Sequence, residues 1–273
     1  MTFDMLNRAR DLRDRVRAQA SAKSPEPLGA FFISGHRVGR LTPDVMRALS
    51  DDPMLTREVR PAGRDGFALR DDATPESRAL ALDRLTDRFE ALGMTQPRRH
   101  ERLDIRDGNG KILATAERAV FRTLGLPTMV VRLLGVTPEG HYWLQRRSLT
   151  KAVAPGLWDN LAAGMIAAGE DPLSAALREL HEEAGLRLRP DELIPMPGLS
   201  PRFERRVPMG WLDEGTACFR MTVPSEMIPV NLDGEADAFE PLTPERLLDA
   251  IEADRLMPEA AVLLVEALIV AGE

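Results

Sequence analysis

The most informative segment of the chain is GMIAAGEDPLSAALRELHEEAGL, which spans residues 164–186. Its second half predicts a helix over residues 172–184, because leucines and alanines recur at helical spacing along one side. Gly185 follows directly and is a residue type that commonly ends helices. We therefore expect one short amphipathic helix whose apolar side anchors it on a sheet.

Three carboxylates lie on the other side of this predicted helix. Glu179, Glu182 and Glu183 stand at positions i, i+3 and i+4, which share one helix face. Like charges so close repel each other, so divalent cations would stabilise the cluster. Oxygen ligands of this kind prefer Mg²⁺ or Mn²⁺ to zinc. Arg178 lies four residues before Glu182 and can hold its carboxylate. The alternative is an ordinary charged helix surface.

The sequence around the helix predicts a layered fold. Strands are predicted over residues 128–136, 141–145, 216–223 and 238–242, and two further helices from Pro244 and Pro258. Mixed strands around one central helix, with helices at the end, predict an α/β/α sandwich with a mixed sheet, in the α/β class.

The first part of the chain predicts a smaller α+β domain. Met5, Ala9, Leu12 and Val16 mark an amphipathic helix within the first twenty residues. The other predicted elements are strands 30–33, 56–59 and 67–70, helices from Thr42-Pro43 and over 75–92, and a hairpin of 103–106 with 111–114. A break at residues 124–127 divides the chain into an N-terminal accessory domain, 1–125, and a second domain, 126–273.

The composition of the chain argues against several classes of function. The 273 residues carry a formal net charge of −7, so long nucleic acids are poor partners and an anionic ligand needs a local basic patch or a metal. The single cysteine, Cys218, excludes an internal disulfide framework, fits a reducing compartment and is expected in the core. The N-terminus lacks the apolar run of a secretory signal, and the apolar stretch 260–271 is too short for a bilayer. We expect a cytoplasmic protein with no membrane partner.

The full spacing of residues 164–186 resembles the Nudix box. The matching positions are Gly164, Glu170, Arg178, Glu179, Glu182, Glu183 and Gly185. This resemblance implies a metal-dependent hydrolase of small organic diphosphates. The implied metal ligands are Glu179, Glu182, Glu183 and the backbone carbonyl of Ala163, and the implied catalytic set is Glu179, Glu182 and Arg178. Gly164, Glu170 and Gly185 take the structural positions of the box, with Glu170 and Arg178 as an ion pair. A water activated by Mg²⁺ or Mn²⁺ would attack, assisted by Glu179 or by a residue outside the box.

Further site residues are predicted outside the box. Glu235, after a glycine and ahead of a strand, resembles a position that supplies a metal-binding or basic carboxylate, although a surface turn is an equal alternative. Arg147 and Lys151 could supply the positive charge for phosphate. Asp159 and Asn160 belong to the same segment and are predicted to bind substrate.

The run from Arg147 to Gly164 resembles one Nudix branch in particular. That branch is related to the Nudix portion attached to some thiamin pyrophosphokinases, and its members carry a domain of similar size before the Nudix unit. Met165 departs from the pattern, because many relatives have glycine there. The resemblance implies hydrolysis of thiamin diphosphate, or of its oxidised forms, to the monophosphate.

Three other interpretations compete with this one. The first is a Nudix hydrolase of nucleotide conjugates such as ADP-ribose, NADH or dinucleoside polyphosphates, which the box does not distinguish. The second is an isopentenyl diphosphate isomerase, which depends on a cysteine upstream of the box, where this chain has none. The third is a non-catalytic nucleotide sensor, against which the complete box argues. The accessory domain is a candidate for covering the site, for selecting substrate or for forming a homodimer.

Overall fold

The structure is a computed structural model that describes residues 2–22, 26, 28–58, 65–70, 73–151 and 153–273. Helix ends follow local sequence signals. Thr74, for example, accepts a hydrogen bond from the backbone N–H of Ser77, and Pro75 occupies the first turn of the helix that follows. Such signals explain why predicted and observed helices agree closely.

The first part of the chain contains short strands and helices. They are α1 (Phe3–Ala20), β1 (Gly29–Ile33), β2 (His36–Leu41), α2 (Pro43–Ala48), β3 (Leu55–Glu58), β4 (Gly66–Leu69), α3 (Pro75–Ala91), β5 (Arg102–Arg106), β6 (Ile112–Glu117) and α4 (Ala119–Leu124). One sheet has the order β2-β1-β4-β3, and β5 and β6 form the predicted hairpin. We call the body from β1 to α4 the N-terminal unit. Its mixture of helices and strands confirms the predicted α+β character, although β2 and α4 were not predicted. Residue 59, the predicted end of the second strand, lies outside the described residues.

The second part contains the larger sheet and the box helix. Its elements are β7 (Thr128–Val136), β8 (Tyr142–Arg147), β9 (Trp158–Asn160), β10 (Ala162–Met165), α5 (Pro172–Ala184), β11 (Ile194–Pro195), β12 (Arg202–Val207), β13 (Gly210–Thr222), β14 (Ala236–Leu242), α6 (Pro244–Glu252) and α7 (Pro258–Gly272). The short strands β9, β10 and β11 and the arginine-rich β12 were not predicted, because none shows a clear alternation of apolar and polar residues.

The sheet is mixed and is covered on both faces. Its main order is β11-β13-β7-β8-β14, with β13 parallel to β7 and with β8 antiparallel to both β7 and β14. One hydrophobic cluster joins α5 to the sheet, and a second joins α6 and α7 to it. The predicted α/β/α sandwich is confirmed.

Helix α1 belongs to the second of these clusters. Its buried residues are Leu6, Ala9, Leu12, Val16 and Ala20, and they pack with residues of α6 and α7. Arg8 adds ion pairs to Asp249 and Glu252 of α6. The chain thus begins against the C-terminal helices before it enters the N-terminal unit. The boundary between residues 125 and 126 stays a prediction. No helix in the described ranges is both long and apolar enough to cross a membrane.

The N-terminal unit packs directly on the loop that precedes α5. Met165 packs against the hydrophobic core of this unit. The backbone N–H of Ala168 donates to the carbonyl oxygen of Arg102 at 2.8 Å, and that of Gly169 donates to the Asp104 carboxylate at 3.1 Å. The position of the N-terminal unit is therefore fixed relative to the box.

Candidate active site

Helix α5 presents its three glutamates at two depths. The Asp171 side chain accepts hydrogen bonds from two backbone N–H groups of the first turn, and Gly185 ends the helix in the left-handed conformation with φ of 67°. Glu179 and Glu183 are buried, whereas half of the Glu182 side chain is exposed. The predicted common face therefore runs from the sheet out to solvent.

Gly164 gives Glu179 the space that it occupies. A Cβ atom at Gly164 would lie 1.9 Å from Cδ of Glu179, far inside van der Waals contact. Strand β10 requires glycine at this position because the carboxylate of α5 packs directly against its backbone. This contact explains the first glycine of the box in physical terms.

Arg178 is the centre of the hydrogen bonds within the box. Its Nε and Nη2 donate to the two oxygens of Glu170 at 2.9 and 2.8 Å, so the expected ion pair is present. Nη1 donates to Glu179 at 2.6 Å and to Glu182 at 3.2 Å, and Nη2 also donates to the carbonyl oxygen of Met165 at 3.1 Å. The hydrogen bonds from Arg178 lower the pKa of Glu170 despite its partial burial. Arg178 thus positions two carboxylates of α5 as well as the preceding loop.

Glu183 is a buried carboxylate that is held from two sides. Gln145 Nε2 and the backbone N–H of Ala163 both donate to its Oε2, each at 2.8 Å. Burial raises the pKa of Glu183 to about 8, and the nearby charges of Glu179 and Asp159 act in the same direction. Oε1 of Gln145 is buried and has no hydrogen-bond partner among the described residues. The site therefore favours an added cation.

Glu183 joins two acidic residues from the segment before β14. One carboxylate oxygen each of Glu183, Asp233 and Glu235 lies within 4.8 Å of the others. We call these three residues the acidic triad. Lys151 Nζ donates to Glu235, so the predicted phosphate-binding lysine contacts the predicted metal-binding carboxylate. Hard oxygen donors around a buried acid suit Mg²⁺ or Mn²⁺, and Glu179, a neighbour of Glu183 on α5, extends this donor set.

The other predicted substrate-binding residues lie deeper. Asp159 is buried and accepts from Arg147 Nη1 at 3.3 Å, while its other oxygen lies 3.5 Å from Nη1 of the buried Arg132. Arg147 also donates to the carbonyl oxygen of Val153. Asn160 is fully buried, and neither polar atom of its amide has a partner in the described part of the chain. The structure thus brings Arg147 and Asp159 together, and their substrate-binding role stays a prediction.

A cavity of about 630 Å³ is lined by residues of both the N-terminal unit and the box loop, beside the place where the two are in contact. Its walls include Leu103, Arg106, Met129, Ile166 and Glu170. This volume falls in the range of small-molecule pockets, and the walls combine apolar surface with charged groups. Through Glu170 the cavity borders the hydrogen-bond network of Arg178.

Sequence reasoning missed several residues at the site. Arg132 is a single charged residue within the apolar run of β7, Gln145 follows the aromatic and apolar residues 142–144 of β8, and Asp233 lies in a polar turn before Glu235. Burial raises the pKa of Glu179 against the opposing effect of Arg178, and the charge of Glu101 from the N-terminal unit acts in the same direction as burial. The turn Asp233-Gly234-Glu235 is the one feature here that a search for paired acids would have found.

Comparison with known families gives a match over the second part of the chain. A sequence profile described as the NUDIX domain matches residues 126–262. These residues include the whole sheet, α5 and the acidic triad.

Comparison with curated proteins finds relatives of two kinds. An uncharacterized Nudix hydrolase of Pseudomonas aeruginosa is 42% identical over 81 residues, which are 30% of this chain and 48% of the relative. An isopentenyl-diphosphate Delta-isomerase of Cutibacterium acnes is 31% identical over 133 residues, 46% of this chain and 65% of the relative. The chloroplastic Nudix hydrolase 24 of Arabidopsis thaliana is 24% identical over 196 residues, 70% of this chain and 53% of the relative. The chain spans about half the length of the first and third of these proteins.

Proposed function

The chain belongs to the NUDIX family, and from this premise we propose that it is a divalent-metal-dependent hydrolase that cleaves the diphosphate bond of a small organic substrate. The observation that carries this proposal is the position of Glu183. Glu183 belongs to α5 and lies close to Asp233 and Glu235, so that carboxylates from two separate segments of the chain form one candidate metal site.

The residues of the site suit this chemistry. Glu179, Glu182, Glu183, Glu235 and the carbonyl oxygen of Ala163 would hold Mg²⁺ or Mn²⁺. When bound, the ion would polarise the phosphorus and stabilise the leaving oxygen. A water oxygen forms the new bond to phosphorus, the anhydride P–O bond breaks, and the leaving phosphate takes the electron pair.

Glu179 is the residue to which we assign the proton of the attacking water. Burial raises the pKa of Glu179, and the hydrogen bond from Arg178 fixes its orientation. A carboxylate with a raised pKa is a better base than an exposed one. Arg178 is therefore a positioning residue for the proton acceptor.

As substrate we propose thiamin diphosphate or its oxidised derivatives, with the monophosphate as product. The resemblance of residues 147–164 to the branch related to thiamin pyrophosphokinases supports this choice. The match to the plant Nudix hydrolase is also longer than the NUDIX profile match, which fits a branch with a preceding domain. We place the organic group in the cavity beside Glu170. Cytoplasmic location and a homodimer are further proposals.

Two other substrate classes are alternatives that the experiment must distinguish. Nucleotide conjugates share the same bond, and the box does not separate them from thiamin compounds. Isomerisation of isopentenyl diphosphate is disfavoured because the cysteine of this chain is not upstream of the box. Cys218 lies buried on β13, and burial raises its pKa to about 12, so its thiol is unsuited to acid–base chemistry near neutral pH.

The experiment is a substrate panel with product identification by mass. Purified protein with Mg²⁺ or Mn²⁺ is incubated with thiamin diphosphate, oxothiamin diphosphate, ADP-ribose, NADH, diadenosine polyphosphates and isopentenyl diphosphate. Glu182→Gln is the inactive variant, and Glu76→Gln, at the exposed start of α3, is the matched surface control. We expect thiamin monophosphate to form fastest. Preference for a nucleotide would contradict the substrate, and metal-dependent turnover of no diphosphate would contradict the hydrolase.

A further inference from the structure

The box loop, residues 166–171 between β10 and α5, is held at two consecutive residues by the N-terminal unit. The backbone N–H of Ala168 donates to the carbonyl oxygen of Arg102 at 2.8 Å, and that of Gly169 donates to Oδ2 of Asp104 at 3.1 Å. Both acceptors belong to β5, the first strand of the hairpin in this unit. The loop therefore lies against a strand from outside the NUDIX match.

The Asp104 carboxylate is itself held in place. Arg106 Nη2 donates at 2.7 Å to the same Oδ2 that accepts from Gly169, and only 9% of the Asp104 side chain is exposed. Because water screens a shielded ion pair less than an exposed one, this contact is stronger than an ordinary surface pair. Arg106 thus fixes the oxygen that binds the loop.

The next residue of the loop, Glu170, is bound by the central arginine of the box. Arg178 donates to both of its carboxylate oxygens, at 2.9 and 2.8 Å. The same guanidinium donates to Glu179 at 2.6 Å and to Glu182 at 3.2 Å. Direct contacts thus continue from β5 through the loop to two carboxylates of α5.

The residue before the loop, Met165, is held in a similar way. Its side chain packs against the hydrophobic core of the N-terminal unit, and its carbonyl oxygen accepts from Nη2 of Arg178 at 3.1 Å. Arg178 therefore bonds to this segment at two places, Met165 and Glu170. At each place the N-terminal unit contacts the same residue or its neighbour, so a displacement of the unit would disturb both bonds.

We propose that Asp104 is a positioning residue of the reaction, because it holds the box loop and the loop places Arg178. Arg178 in turn orients Glu179 and Glu182. This inference rests on the proposed function, since those two carboxylates are assigned to the divalent ion and to the proton of the attacking water. It gives the N-terminal unit a part in catalysis that acts through the loop, and small displacements of catalytic groups reduce rates strongly.

The test compares Asp104→Ala, Asp104→Asn and the matched control Asp87→Ala in the full chain. Asp87 also pairs with an arginine of the N-terminal unit, but it lies exposed on α3 and makes no hydrogen bond to the box loop in the described part of the chain. We expect Asp104→Ala to lower kcat roughly tenfold and to weaken Mn²⁺ binding, measured by calorimetry without substrate, roughly threefold. Asp104→Asn keeps an oxygen that can accept from Gly169 and should recover most of both losses. Asp87→Ala should match the unaltered protein.

Amide hydrogen exchange adds a readout that does not depend on activity. Peptides that cover the box loop should exchange at least about threefold faster in Asp104→Ala, because the N–H of Gly169 loses its acceptor. Where Asp104→Ala is partly unfolded under the assay conditions, Asp104→Ser takes its place. Its oxygen lies one bond closer to the backbone than a carboxylate oxygen and does not reach Gly169.

The outcomes separate this inference from the proposed function. An unchanged kcat in Asp104→Ala overturns the inference, and so does an effect confined to KM, which would make Asp104 only part of the cavity wall. Equal impairment of Asp104→Asn and Asp104→Ala also overturns it, because the effect would then follow the charge and not the hydrogen bond. Where the panel gives no turnover of any diphosphate, the hydrolase is contradicted and Mn²⁺ binding decides the inference. Weaker Mn²⁺ binding with faster loop exchange in Asp104→Ala then supports it, and unchanged Mn²⁺ binding overturns it.

Discussion

Replacing Glu183 by glutamine should stabilise the metal-free protein at alkaline pH and inactivate the enzyme. Both donors to this side chain, Gln145 Nε2 and the N–H of Ala163, contact the same oxygen, Oε2. A glutamine can place its carbonyl oxygen there and retain both hydrogen bonds. It removes the negative charge that burial disfavours, and it also removes a carboxylate of the acidic triad.

The magnitude follows from the raised pKa. Burial moves the pKa of Glu183 from 4.5 to about 8, and one pKa unit corresponds to about 1.36 kcal/mol. Relaxation and water entry reduce such a cost in real proteins, so we expect roughly 1–3 kcal/mol of stabilisation above pH 8. The folded-state pKa is raised, so this acid destabilises the fold progressively as pH rises from its ordinary pKa to the folded one. The variant should therefore match the unaltered protein only below about pH 4.5.

Thermal unfolding with EDTA at pH 5.5 and pH 8.5 measures this difference. At pH 8.5 the expected gain in melting temperature for Glu183→Gln is roughly 2–10 °C, and at pH 5.5 it should be about a third of that gain. Hydrolysis should fall by on the order of 100-fold or more, since a metal ligand is lost. Glu182→Gln is the comparison, because that half-exposed side chain should affect activity with little change in stability.

A lower melting temperature of Glu183→Gln in EDTA at pH 8.5 would refute this reasoning. It would mean that the ionised carboxylate stabilises the metal-free fold, so that the side chain serves the fold and not a cation. Full activity of the variant would refute the ligand assignment separately.

Three further predictions concern the same domain. Gly164→Ala should lower kcat at least about tenfold and destabilise the fold by roughly 1–3 kcal/mol, because the added Cβ would displace Glu179. Steady-state kinetics and urea unfolding measure the two effects. Gly198→Ala is the control, because a Cβ at Gly198 would meet no atom within 4 Å. The gain in melting temperature from Mn²⁺ should increase between pH 5.5 and pH 8, because the ion must displace the proton of Glu183, whose pKa burial raises. Cys218→Ala should keep kcat within about twofold of the unaltered value and cost about 1 kcal/mol of stability as a core truncation, measured on the preferred substrate and by urea unfolding.

Each of these has an outcome that contradicts it. Unchanged kinetics in Gly164→Ala would mean that the Glu179 carboxylate does not need its observed place. A metal-induced gain that shrinks toward pH 8 would exclude the buried acid as a ligand. Loss of turnover in Cys218→Ala, with the fold intact by circular dichroism, would revive a cysteine-dependent reaction.

The box and its helix could be predicted because their signals are local in sequence. Glutamates three and four residues apart share a helix face in any context, and Gly185 ends a helix by its own conformational freedom. The strand over residues 128–136 was equally clear from its apolar run, and β7 has those bounds. Local rules fix which side chains can meet within one element.

The association between distant segments could not be predicted in this way. Asp233 meets Glu183 across some fifty residues of chain, because β14 pairs with β8 and brings the preceding turn to the C-terminal end of α5. The burial of Asp159 could not be predicted for the same reason, because its partner Arg132 lies on another strand and is itself buried. Helix α1 packs against α7 and not against the N-terminal unit. The spacing of its apolar residues predicts a buried face but does not say which element covers that face.

Two sequence predictions compete at the acidic triad. Glu235 was predicted to bind metal and Lys151 to bind phosphate, yet here the two side chains bond to each other. Both roles are compatible if a divalent ion replaces the ammonium group at Glu235, since Lys151 is then released beside the incoming diphosphate. In a chain with net charge −7, such an exchange would add positive charge at the site together with the ion. Metal binding would thus prepare the phosphate site as well as the reaction centre.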